Sequence, residues 1–355
     1  MNPLEAQLAY PFGDQVPSPG TTMEVVPGLS WLRMPLPFAL DHINLWLLDE
    51  RGASGEGWSL VDSGAGTDAT RSAWEQLFAG AMGGRPLLRL FATHCHPDHV
   101  GMSGWLCERF GAPFWTSAAE FGFMRMMAAA LPGVDGPSAV PHFRRHGLRD
   151  EGLLAQMESR RNYYPSLVPS VPVAYTRLQD GQHVAIGGTP WRVITGFGHS
   201  PEHVSLYSEE WKVLLSGDMV LPRISTNVSV FAVEPEGDPL RQYLDSLDKF
   251  ADLPDDTLVL PAHGKPFRGL HVRIAQLREH HAARLSEVLA ACAEPRSALD
   301  IVPLMFRRQL DAHQLSFAIG EALAHLHYLR FDGSLERVTG HDGVMRFVLK
   351  TNNII

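Results

Sequence analysis

Cysteine is scarce in this chain of 355 residues. The three present, Cys95, Cys107 and Cys292, are an odd set and too few for a disulfide framework, so a reducing, cytoplasmic setting is expected. No segment approaches the ~20 uninterrupted apolar residues that a membrane-crossing helix needs. The stretch from Met1 to Gly20 lacks both a basic start and a long apolar run, so it does not read as a secretory leader. Positive charge is also short, with 30 Lys and Arg against 39 Asp and Glu and a net charge of −9. That balance argues against a coat for nucleic acid or anionic membrane, while allowing a local basic groove or a small anionic substrate. Charged residues make up 19% and hydrophobic residues 45%, the proportions of a folded globular protein rather than a disordered one. The length suits a large domain joined to a small one.

Histidine is what the chain has in abundance. There are 17, several beside aspartates at short spacing, which directs attention to metal chemistry. Around them the first half alternates short strands and helices. Val25 to Met34, His42 to Asp49 and Trp58 to Asp62 carry strand-type residues broken by Gly and Pro. Asp68 to Ala81 has amphipathic helical spacing, stopped by Gly83 and Gly84. Leu87 to Thr93 reads as a buried strand that ends directly at His94. The second half predicts strands over Trp191 to Gly196, Val204 to Ser208, Lys212 to Ser216 and Thr257 to Pro261, with a helix over Leu240 to Phe250. Ser117 to Val171 departs from this rhythm and reads as a helical insertion, with a helix over Phe121 to Leu131. After Gly269 a long helix to about Cys292, helices over Ala298 to Leu310 and Gln314 to Leu329, and two strands around Gly340 to Gly343 outline a winged helix.

The densest chemistry lies in Thr93-His94-Cys95-His96-Pro97-Asp98-His99. On an extended backbone His94 and His96 can turn their rings toward one ion, and Asp98 and His99 can face a second position nearby. Imidazole and carboxylate ligands suit Zn, Fe or Mn, and two ions about 3.5–4 Å apart can share a hydroxide. His199, Asp218 and His263 follow, each at the end of an expected strand. Singly they are ordinary strand-end residues; in this order after the first cluster they complete a metal-binding count. His203 begins a strand and reads as a residue behind the ligands. Cys95 should point away from its neighbours and pack as a thiol.

The ordered set His-x-His-x-Asp-His, Gly-His-Ser-Pro-x-His, Ser-Gly-Asp and Ala-His-Gly resembles the metallo-β-lactamase superfamily over roughly Met23 to Pro266. The resemblance implies an α+β fold, an αββα sandwich of two mixed sheets with the metals in a cleft along one edge. It also implies that His94, His96 and His199 hold one ion, that Asp98, His99 and His263 hold another, and that Asp218 bridges them. Asp62 matches an aspartate that supports such a site without binding metal. The expected layout is an N-terminal extension over 1–22, a catalytic domain over 23–268 with its insertion at about 117–171, and a winged-helix-like domain over 269–355.

The reaction expected is hydrolysis by a hydroxide bridging two divalent ions, with zinc the expected metal and Asp98 as both ligand and proton shuttle. True β-lactamases of the superfamily usually lack an aspartate at the Asp218 position. An ester, thioester or lactone of a small acyl compound is therefore the leading substrate class. The alternatives are a phosphodiesterase or ribonuclease of the same fold, and a mononuclear-iron persulfide dioxygenase. From Gly264 onward twelve Lys and Arg face nine Asp and Glu, short of a nucleic-acid surface, so nucleic acid is not favoured as a partner. Met124, Met126, Met127 and Leu131, with Tyr163 and Tyr164, are expected to roof the cleft. Arg144, Arg145, Arg160 or Arg161 would receive an anionic group. Arg223 and Asn227 are placed to line the cleft as well, and a homodimer is the expected assembly.

Overall fold

The computed structural model describes residues 4–38, 40–52, 55–159 and 163–350. Arg160 and Arg161 lie outside the described residues. Two compact units separate, and they do not follow the linear division expected from the sequence. One comprises Met1–Ala129, Tyr163–Thr226 and Ser246–Ile274; the other comprises Ala130–Asn162, Asn227–Asp245 and Ala275–Ile355.

The first unit is built on two sheets. One has seven strands in chain order, β1 (Met23–Val26), β2 (Leu29–Pro35), β3 (His42–Gly52), β4 (Gly55–Val61), β5 (Leu87–Phe91), β6 (Phe114–Thr116) and β7 (Thr176–Arg177). Neighbours are antiparallel up to β4 and parallel from there on. Parallel neighbours need crossovers, and helices supply them. α1 (Asp68–Ala79) joins β4 to β5, and α2 (Pro97–Val100) and α3 (Ser103–Phe110) join β5 to β6. Between β6 and β7 come α4 (Ala118–Ala128), α5 (Gly136–Arg145), α6 (Glu151–Glu158) and α7 (Tyr163–Leu167). The insertion is helical, as its composition suggested, but α5 and α6 group with the second unit.

The second sheet holds β8 (His183–Ile186), β9 (Thr189–Gly196), β10 (His203–Ser208), β11 (Val213–Gly217), β12 (Leu258–Pro261) and β13 (Phe267–Arg268). All its neighbours are antiparallel except β11 and β12. β9, β11 and β12 therefore point the same way.

Period-two alternation explains the layers. Leu29 and Trp31 of β2, and Trp46 and Leu48 of β3, enter a core shared with Trp191, Val193, Leu206 and Leu215 of the other sheet. The intervening Leu32, Met34, Leu45 and Leu47 face a second core with Trp74 and Leu77 of α1 and Leu106 of α3. β10, β11 and β12 are buried along their whole lengths, which is why they read as nearly unbroken apolar runs. α1 starts where the Thr67 hydroxyl accepts the Thr70 N–H, and it ends at Ala79, two residues before the expected stop. The result is the α+β sandwich anticipated above.

The second unit contains α5 and α6, most of α8 (Pro239–Leu247) and α9 (Leu270–Ala291), then α10 (Ala298–Met305) and α11 (Ala312–Phe331). A hairpin of β14 (Leu335–Thr339) and β15 (Met345–Leu349) closes it. The Ser297–Asp300 capping box begins α10, and the Leu299 N–H donates to the His146 carbonyl at 3.2 Å. Contacts of this kind bind the middle of the insertion to the C-terminal helices. Among the described residues no helix is long and apolar enough to cross a membrane.

Candidate metal centre

Strand direction gathers the site. β4 and β5 point the same way in one sheet, and β9, β11 and β12 do so in the other. Their C-terminal ends deliver Asp62, His94 to His99, His199, Asp218 and His263, all within eight residues of the last strand residue. Two backbone hydrogen bonds join the sheets at this edge. Val204 N–H donates to the Thr93 carbonyl and Asn44 N–H to the Ala262 carbonyl, both at 2.7 Å.

The seven residues singled out in the sequence form two groups. His94, His96, His199 and Asp218 present one ligand atom each, all within 4.8 Å of one another, and Asp98, His99 and His263 form a second such group. His94 Nε2 lies 2.9 Å from His96 Nδ1 and 3.1 Å from His199 Nε2. Donors around a tetrahedral zinc at about 2.1 Å stand about 3.4 Å apart, so this spacing is near what one ion requires. Asp218 turns Oδ2 toward His199 Nε2 at 3.4 Å and Oδ1 toward His99 and His263 Nε2 at 3.7 and 3.6 Å. Asp98 Oδ2 lies 3.3 Å from His263 Nε2.

Burial and charge agree with this geometry. Among the described residues, His99 Nε2 and Asp218 Oδ1 are buried without a hydrogen-bond partner, an arrangement that costs free energy unless something else satisfies them. Burial and the adjoining imidazoles push His94 well below the usual histidine range, and burial with His199 brings His96 down to about 3. Both are thereby neutral, the form that donates a lone pair to a metal. His99 goes the other way. Burial opposes its charge, but Asp62, Asp98 and Asp218 together raise it to about 10. Burial would raise Asp98 too, yet His99 and His263 hold it down to about 2. Three carboxylates around two buried rings make a pocket that favours cations, and imidazole with carboxylate is a donor set that a divalent ion accepts. The residues present therefore fit a metal.

Orientation comes from behind. Asp62 accepts the Thr93 N–H at 2.8 Å and the Thr93 hydroxyl at 2.9 Å, and its Oδ2 lies 2.8 Å from His99 Nδ1. Thr93 Oγ1 is in turn 3.0 Å from His94 Nδ1. With both Nδ1 atoms protonated the network is satisfied and both Nε2 atoms are left facing the site. Asp62 itself adopts a left-handed φ of 63°, unusual for a residue other than glycine and held here by this network. His263 Nδ1 donates to the His42 carbonyl at 2.8 Å, while Asn44 Nδ2 donates to the carbonyls of Pro261 and Gly264. His203 is fully buried, and its Nε2 accepts the Asp218 N–H at 3.1 Å. A Cβ on Gly217 would meet that nitrogen at 2.3 Å, so glycine is required there.

The residues expected to line a cleft are placed differently from one another. Tyr164 is a correction. It is buried, and its hydroxyl donates to the Cys95 carbonyl at 2.5 Å, so it braces the ligand loop instead of facing a substrate. Tyr163 is half-buried and Arg223 is exposed. Asn227 donates through Nδ2 to Glu321 Oε2 at 3.2 Å within the second unit. Met124 and Met127 pack into the core beneath the seven-stranded sheet, because α4 turns its apolar face inward, while Leu131 is exposed. Arg144 is half-buried and forms a two-pronged pair with Glu151. Cys95 is buried in the core, where burial raises its thiol pKa.

Thr93, Asn44 and Glu120 hydrogen-bond the ligand-bearing loops and were not singled out in the sequence. Glu120 sits three residues after Ser117, whose hydroxyl accepts the Glu120 N–H as a helix cap. That spacing reads as a capping box, a local role that hides the distant one.

Comparison with known proteins agrees with this arrangement. The family model described as Metallo-beta-lactamase superfamily matches residues 40–263, and the one described as Metallo-beta-lactamase-like, C-terminal domain, matches residues 285–350. The crystal structure of a beta-lactamase domain protein from Burkholderia ambifaria is 54% identical with a TM-score of 0.94, covering 98% of this chain and 100% of that one. A Bacillus subtilis (strain 168) protein described as a probable metallo-hydrolase, YqjP, is 25% identical over 319 residues, 86% of this chain and 92% of that protein. A hydroxyacylglutathione hydrolase from Yersinia enterocolitica is 35% identical over 148 residues, 39% of this chain and 52% of that protein.

Proposed function

Because this chain belongs to the metallo-beta-lactamase superfamily, we propose that it is a two-metal hydrolase of an ester, thioester or lactone of a small acyl compound. His94, His96 and His199 would hold one divalent ion, Asp98, His99 and His263 the other, and Asp218 would reach both; zinc is the ion this reading favours. The observation that carries it is the division of one carboxylate, Asp218 Oδ2 facing His199 and Oδ1 facing His99 and His263. When bound, such ions polarise a substrate carbonyl and bring the pKa of a water toward ~7, which supplies a nucleophile at neutral pH.

Asp98 is the residue we assign to proton transfer. Its side chain is 17% exposed, against 10% for Asp218 and 3% for His263, so it can exchange a proton with solvent. Asp62 and Thr93 keep His94 and His99 in one tautomer, and the His42 carbonyl does the same for His263. Arg223, exposed five residues after Asp218, is suited to receive an anionic group on the acyl compound. A relative named hydroxyacylglutathione hydrolase supports an acyl substrate. In the same reading the C-terminal helices and hairpin form a winged-helix-like domain that serves a homodimer rather than nucleic acid.

Metal analysis of the purified protein, followed by a panel of thioesters, lactones and bis-phosphodiesters, tests this. Two ions per chain with hydrolysis of an acyl compound is the expected result. RNA or phosphodiester cleavage without acyl hydrolysis would overturn the substrate class. One iron per chain with dioxygen uptake would replace hydrolysis by persulfide oxidation.

A further inference from the structure

Glu120 belongs to α4, outside every ligand-bearing loop, yet it is only 1% exposed. Its carboxylate accepts three hydrogen bonds from two separate loops. Oε2 takes the Cys95 N–H at 2.8 Å; Oε1 takes the Ser200 hydroxyl at 2.5 Å and the Glu202 N–H at 2.7 Å. Cys95 is the residue between His94 and His96. Ser200 follows His199, and Glu202 precedes His203, which receives the Asp218 N–H. The other side of the Cys95 residue is fixed too, since its carbonyl accepts the Tyr164 hydroxyl.

We propose that Glu120 is a positioning residue that sets the spacing between the His94–His96 loop and the His199 loop, and so the affinity of the three-histidine ion site. The inference rests on the two-metal reading above.

The chemistry favours an anion at this place. All three groups that reach Glu120 are donors, so a carboxylate satisfies them together and an amide cannot. A buried anion held only by hydrogen bonds is costly, and it persists where its bonds fix something else. Here they fix two loops that come from opposite sheets, one after β5 and one after β9. Tightening both onto one side chain leaves three imidazole nitrogens preorganised at 2.9 and 3.1 Å. Among the described residues, Asp98, His99 and His263 of the second ion group make no hydrogen bond with Glu120. Its supports are Asp62 and the His42 carbonyl. The effect of Glu120 is therefore specific to one of the two positions.

The test uses the full chain, loaded with Zn(II) and, separately, Co(II), and competed with a chromophoric chelator. In Glu120→Gln one ion should leave at a free-metal level 10–100-fold higher than in the parent, while the other is retained with parental affinity. The Co(II) absorption bands of the three-histidine position should weaken with it, and raising free Zn(II) should restore turnover. Ser200→Ala, which removes one of the three bonds, should shift the same ion by a smaller factor. It also supplies the measurement if Glu120→Gln does not fold. A variant that melts earlier but binds both ions as tightly as the parent would overturn the proposal, because a purely structural role predicts that outcome. Equal weakening of both ions would overturn it as well. A parent chain that takes up no metal would instead remove the two-metal reading itself.

Discussion

Asp62 Oδ2 lies 2.8 Å from His99 Nδ1, with neither side chain more than 2% exposed. The aspartate reaches this position from a left-handed backbone conformation at the end of β4. Through Thr93 the same carboxylate governs His94, so a single residue fixes one ring in each of the two ion groups. Asp62→Asn keeps the shape but replaces an acceptor by a donor. It should weaken metal binding about 10–100-fold, read by chelator competition, with far-ultraviolet circular dichroism unchanged.

Asp218 and His96 act at the ions themselves. Asp218→Asn and His96→Ala should each lower kcat by on the order of a thousandfold or more while the fold persists. Steady-state kinetics beside a thermal melt separates the two effects, and near-parental rates in either variant would refute the assigned roles.

Removing metal should abolish turnover and also soften the protein. An ion at 100 times its Kd contributes about 2.7 kcal/mol to stability, so stripping the chain should lower Tm by several degrees. Adding Zn(II) back should restore both signals. Calorimetry of the stripped and reloaded protein measures it.

The second unit has an acid liability of its own. Burial first, then His327 and Arg145, bring His142 down to about 4; burial, then His142 and His327, bring His146 down to about 3. Both are neutral in the folded protein at neutral pH, whereas the unfolded chain takes up their protons near pH 6.5. Stability should therefore fall as pH drops from about 6.5 and level off below about 3. His142 alone accounts for roughly 3 kcal/mol of that loss. His142→Gln should flatten the acid limb of a plot of Tm against pH.

Gly217 has a φ of +51°, and an added Cβ would meet His203 Nε2 at 2.3 Å. Gly217→Ala should cost about 1–3 kcal/mol and displace Asp218, lowering turnover as well as Tm. Equilibrium denaturation checks the first effect and kinetics the second.

Much of this was legible in the residues. Trp58 to Asp62 and Leu87 to Thr93 are apolar runs that end at polar residues, Thr257 to Pro261 runs on to His263, and a buried strand ending at a cleft produces that signature. The ligands are legible because four His and Asp side chains within six residues are expensive to bury without an ion. What escaped were roles set by distant partners. Tyr164 reads as a cleft aromatic because nothing local reveals that its hydroxyl meets Cys95, 69 positions away. Glu120 reads as a cap. The second unit escaped for the same reason, since Leu299 pairing with His146 is invisible to any local window.

The centre draws on strand ends from both sheets, with His94 and His263 far apart along the chain. Neither sheet alone can assemble a complete set of donors. Long loops must close before the donors meet, and that closure is slow. Tight uptake of an ion during refolding should therefore lag behind the return of secondary structure, making metal capture a clock for the docking of one half of the sandwich onto the other.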